Sequence, residues 1–136
     1  MISGIIFTKN RALQLDLLLQ SIEKNGNNIF DLTVLYRHTN EDFKNGYDKV
    51  KSRFPDVNWV EESDFQKDCF DILQKASELV SFFVDDNILY SPMQADYEQI
   101  KSFLSPKEVY CLSLRLGANT VVPVSYTHLT LPTIYS

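Results

Sequence analysis

Apolar residues in this chain fall into two alternating patterns, short unbroken runs and longer stretches spaced by three or four. Residues 2–7 are an apolar run closed by the polar Thr8-Lys9-Asn10-Arg11, which predicts a buried strand. Leu15, Leu18, Leu19 and Ile22 then recur on one helical face, and Gly26-Asn27-Asn28 stops that helix. A second strand is predicted over 32–36, followed by a helix striped with Phe43, Tyr47, Val50 and Phe54 and ended by Pro55. A short third strand covers 57–60. Ser63 and Gln66 have capping-box spacing ahead of a helix whose inner face is Cys69, Ile72, Leu73, Ala76 and Leu79. The fourth strand, 80–84, runs directly into Asp85-Asp86-Asn87. Ser91, Pro92 and Gln94 then signal a helix striped with Met93, Tyr97, Ile100 and Leu104, and 109–114 reads as a fifth strand.

Strict alternation of strand and helix predicts an α/β fold in three α/β/α layers, with a mainly parallel sheet. No repeat, low-complexity segment or linker interrupts it before residue 123.

Composition narrows the function more than the fold. The 136 residues are 44% hydrophobic and 23% charged, with a net charge of −5 and no basic run. Such a chain is poorly suited to gripping a nucleic acid backbone. A nucleotide remains compatible, because a divalent metal can bridge carboxylates to a diphosphate. Cys69 and Cys111 are the two cysteines and stand in no metal-type spacing, so both read as small buried hydrophobes. With no signal-like opening and no apolar stretch of membrane-spanning length, the expectation is a cytoplasmic protein without a transmembrane segment.

In open parallel sheets, ligands bind beyond the carboxyl ends of the strands. The polar groups there are Thr8 to Arg11, Tyr36 to Thr39, Glu61 with Glu62, and Asp85 to Asn87. Adjacent carboxylates at the end of an apolar strand are partly desolvated, which is costly unless a cation or strong donors neutralise them. Mg²⁺ or Mn²⁺ suits such oxygens; the same three residues also suit a simple turn. The Thr8–Arg11 loop precedes a helix N-terminus, where N–H groups favour anions, although Asn10 is equally a natural helix cap. Lys67, in the first turn of the third helix, fits either a phosphate contact or a solvated face.

Taken together, Ile5-Ile6-Phe7-Thr8-Lys9-Asn10-Arg11 with its leucine-rich helix, Lys67, and Phe82-Phe83-Val84-Asp85-Asp86-Asn87 followed by Ser91-Pro92 resemble a known family. They are similar to the nucleotide-binding half of inverting, family-two-type glycosyltransferases with the GT-A fold, over about residues 2–104. The resemblance implies transfer of a sugar from a nucleoside-diphosphate sugar to an acceptor hydroxyl. It assigns Thr8, Asn10, Arg11, Lys67 and Asp85 to the nucleotide, with Asp85 facing the ribose, and Asp86 and Asn87 to the metal. Two positions depart from the pattern. Tyr36-Arg37-His38 stands where many members have a base-holding aspartate, and Asn87 is a neutral ligand at the third motif position.

Residues 124–133 resemble the conceptual translation of a transposon-end sequencing adapter. The expected division is therefore 1–123 as the nucleotide-sugar-binding half and 124–136 as a non-native tail, with the catalytic base and acceptor half beyond the chain. Two other classes share this outline. One is a phosphoacceptor receiver domain, which needs its acidic pair after the first strand. The other is a non-catalytic α/β module that binds a nucleotide or a partner.

Overall fold

The computed structural model describes residues 1–107 and 109–113. The elements are β1 (Ile2–Lys9), α1 (Ala12–Asn25), β2 (Phe30–Arg37), α2 (Glu41–Arg53), β3 (Asn58–Glu61), α3 (Phe65–Gln74), β4 (Val80–Val84) and α4 (Tyr97–Leu104). The chain divides into two compact units after Tyr97, and the first carries all four strands.

The four strands pair in parallel, in the order β3-β2-β1-β4, as expected for the predicted α/β class. Side chains alternate across a strand, so Ile6 and Phe7 face opposite layers. Ile6, Val34 and Phe83 pack with Leu15, Leu18, Leu19 and Ile22 of α1 and with Tyr47 and Val50 of α2. Phe7, on the other side, meets Phe65 of α3 with ring centroids 5.6 Å apart. Helices α1 and α2 thus cover one face and α3 the other.

Three devices fix the α1–α2 layer. Gly26 ends α1 with its N–H bonded to Ile22 O at 2.7 Å, and a Cβ there would lie 2.5 Å from that carbonyl. Buried Asp16 on α1 receives Arg53 Nη1 from the end of α2, at 2.6 Å to each carboxylate oxygen, and Gln20 Nε2 at 2.7 Å. Asn40 caps α2 by accepting the Phe43 N–H at 3.0 Å.

The order also locates a crevice. From β1 the chain steps outward to β2 and β3, and α3 then carries it back to set β4 on the far side of β1. Such a reversal opens a cleft at the carboxyl ends of the two strands that flank it. A receiver domain requires β1 between β2 and β3, whereas here β1 lies between β2 and β4.

Four local expectations are corrected. The cap of α3 is Asp64, which accepts the Lys67 N–H at 3.0 Å, and Ser63 and Gln66 do not form the box. Carboxylates are stronger acceptors than a hydroxyl at a helix N-terminus. The helix ends at Gln74, leaving Ala76 and Leu79 beyond it and Leu73 exposed. The Ser91-Pro92 signal starts no helix, and α4 begins at Tyr97. Instead, Leu89 N–H donates to Ser21 Oγ, Asn25 Nδ2 to Leu89 O, and Met93 N–H to Asn25 O. Bonds to the end of α1 override the local cap. Finally, residues 109–113 form no strand, and Val109 N–H closes a turn onto Pro106 O. Leu114, the expected boundary at 123 and the adapter-like segment lie outside the described residues.

The α3 cap gives a pH prediction. The Asp68 carboxylate accepts the backbone N–H groups of Ser63 (2.7 Å) and Asp64 (3.0 Å), which hold its carboxyl below the usual range. A depressed folded-state value means the contribution is full above the ordinary carboxylate pKa and is lost as pH falls through the folded value. Acidification through that window is expected to raise amide exchange at Ser63 and Asp64, measured by NMR. An Asp68→Ala chain should show no such step.

Candidate functional site

The loop between β1 and α1 is built without glycine. Thr8 is the last inward-facing residue of β1 and is 6% exposed. Asn10 adopts φ 57°, a left-handed conformation that asparagine tolerates better than most residues. Its side chain is fully engaged with the β2–α2 loop, as Nδ2 donates to Thr39 Oγ1 and Oδ1 accepts the Thr39 N–H, both at 3.0 Å. Its own N–H bonds Arg37 O at 3.1 Å. Asn10 is therefore the tie between two loops, not the helix cap. The N-cap of α1 is Arg11, which makes no side-chain cap, and the first turn has no acidic residue. The helix starts with donor groups and a positive dipole end suited to an anion.

Across the crevice, β4 ends at Val84, which pairs with Phe7, so Asp85 follows on the same face as Thr8. Asp85 is 6% exposed, and Arg11 Nη1 lies 3.2 Å from its Oδ1. Half of the Arg11 side chain remains exposed, so the pair is a solvent-screened latch at the mouth of the crevice. Asp86 is exposed beside it. Asn87 turns back, its Oδ1 accepting the Val84 N–H at 3.0 Å and its N–H donating to Val84 O at 2.9 Å. The acidic motif is thus also a turn, closed by Asn87.

This donor set bears on a metal directly. Among the described residues, no three His, Cys, Asp or Glu side chains gather as a metal cage. Asp85 and Asp86 offer hard oxygens, and Asn87 Oδ1 is already an acceptor. One or two carboxylates completed by phosphate oxygens is a usual environment for Mg²⁺. The residues present fit a hard cation in company with a phosphorylated ligand.

The structure unites Thr8, Arg11, Asp85 and Asp86 at the β1–β4 crevice, and Asn10, between Thr8 and Arg11 in the chain, turns its side chain to Thr39 of the β2–α2 loop. Lys67 lines an open groove of about 520 Å³ along α3 with Phe65, Cys69, Phe70 and Leu73. At the ends of β2 and β3, Arg37 pairs with Glu62 at 3.3 Å and His38 with Glu61 at 2.8 Å.

One residue of the site escapes the sequence pattern. Tyr47 reads as one member of the α2 stripe, yet its buried hydroxyl lies 2.8 Å from Thr8 Oγ1 and accepts the Arg11 N–H at 3.1 Å. Burial raises its pKa above the ordinary phenol value, so it stays protonated. A tyrosine on a core stripe implies a partner for its hydroxyl, and that is the signal that was there to find.

A curated protein of Dictyostelium discoideum, "Bifunctional glycosyltransferase pgtA", is 37% identical to this chain over 120 residues. This chain is similar to a glycosyltransferase. The match takes in 81% of the chain and 14% of the relative's own length. No family model matches the chain, and no solved structure matches it at a significant level. Among the described residues, no helix is long and apolar enough to cross a membrane.

Proposed function

We propose that this chain is the donor-binding part of a glycosyltransferase, holding a nucleoside-diphosphate sugar for transfer to an acceptor hydroxyl. The observation that carries it is the Arg11–Asp85 latch across the strand-order reversal, with Asp86 exposed next to it. The similarity to a glycosyltransferase supports the same chemistry.

In this reading Asp85 meets the ribose hydroxyls, as the buried carboxylate that follows β4. Arg11, Thr8 and the first turn of α1 receive the diphosphate. Asp86, with Asn87, would hold Mg²⁺ or Mn²⁺, which neutralises charge that grows on the leaving diphosphate. Asn10 acts by fixing the loop. Lys67 would have to reach the phosphates from α3, so its expected effect is smaller than that of Arg11.

Isothermal titration of the chain with Mn²⁺ and UDP or GDP tests this. Wild type is expected to bind one of them, and Asp86→Ala to bind it about tenfold more weakly, a difference near 1.4 kcal/mol. Equal affinity in both chains would remove the metal from the proposal.

A further inference from the structure

The β1–α1 loop has neither the glycines of a phosphate-cradling loop nor a side-chain cap, so something else must set its shape. Tyr47 reaches it from α2 as a fully buried residue. Its oxygen accepts the Arg11 N–H and lies 2.8 Å from Thr8 Oγ1. One hydroxyl therefore joins the end of β1 to the N-cap residue of α1.

The polarity of this small network follows from donor counting. A phenol has one proton to give and can accept two. A buried hydroxyl proton must find an acceptor, and Thr8 Oγ1 is the one in reach. No buried side-chain polar atom among the described residues is left without a partner. Once Tyr47 donates to Thr8, the Thr8 proton is turned away from Tyr47. Thr8 lies on the Asp85 side of the sheet at the mouth of the crevice, so that proton becomes a donor for a ligand oxygen.

Resting on the donor-site reading above, we propose that Tyr47 is a positioning residue for anion binding: it orients the Thr8 hydroxyl toward the diphosphate of the bound nucleotide and, by accepting the Arg11 N–H, fixes the backbone from which the Arg11 side chain reaches it. The residue touches no ligand. It acts through Thr8 and Arg11, and its chemistry serves any nucleoside diphosphate because it involves no base contact.

Titrations of the full chain with Mn²⁺ and UDP or GDP, beside the matching nucleosides, provide the test. Tyr47→Phe keeps the ring that fills the core and removes the hydroxyl. It is expected to weaken diphosphate binding roughly tenfold, as loss of one to two oriented hydrogen bonds would, and to leave nucleoside binding unchanged. Thr8→Val should reproduce the part of that loss that passes through Thr8, and the double variant should be no weaker than Tyr47→Phe alone, because both then lack the same Thr8 contact. Additive losses, or equal weakening for nucleoside and diphosphate, would overturn the positioning role. So would Tyr47→Phe binding as tightly as wild type. Should wild type bind neither diphosphate, the donor-site reading falls as a whole, an outcome distinct from a binding wild type with an indifferent variant.

Discussion

Leu18→Ala is expected to lower the stability of the chain by about 3 kcal/mol, or roughly 10 °C in Tm. Leu18 is fully buried on α1, inside the cluster that joins Ile6, Val34 and Phe83 of the sheet to Tyr47 and Val50 of α2. Truncation there leaves a cavity bounded by three elements that cannot all move in. The matched control is Leu17→Ala, one residue along and 48% exposed, which should cost about half a kcal/mol or less. Urea unfolding followed by circular dichroism checks both. Equal losses at the two positions would mean that the inner face of α1 has been misassigned.

The second large effect is an asymmetry at Asp16. Arg53→Met should destabilise by about 2 kcal/mol, because it strands a buried carboxylate with Gln20 as its remaining side-chain partner. The figure sits below that for a wholly buried pair since Arg53 is half exposed and partly screened. Adding Asp16→Leu to the same chain should bring stability back to within about 1 kcal/mol of wild type. The same unfolding measurement decides it. A double variant weaker than Arg53→Met alone would show that the α1–α2 contact needs the charge pair itself.

Much of this architecture was legible in the order of residues. The four strands and the three helices between them come straight from periodicity, most cleanly β1 and α1, which bury a run and a stripe, whereas α3 buries none of its residues. That Asp85 and Arg11 stand at the same end of the sheet was legible because both follow the ends of strands, where the topology collects polar groups. What escaped has one common cause: long-range contact outweighing local preference. Ser91-Pro92 reads as a helix start, yet Asn25 and Ser21 of α1 capture the backbone around Leu89 and Met93. Asn10 reads as a cap, yet Thr39 offers it two hydrogen bonds from another loop. Tyr47 reads as core, and only coordinates reveal that its hydroxyl ends beneath Thr8. Residues 109–113 have the composition of a strand, but β-propensity expresses a fit to neighbouring strands and is no guarantee of one.

The β3-β2-β1-β4 order has a kinetic consequence. Arg11 and Asp85 are 74 positions apart, as are Ser3 and Ser77, which bond at the opposite end of the same strand pair. The β1–α1–β2 unit closes over a far shorter stretch of chain. Chain-closure entropy therefore favours forming that unit first and docking β4 late. The crevice exists only after that final zipper closes, so a ligand spanning Thr8 and Asp85 acts as a clasp on the slowest-formed seam of the molecule.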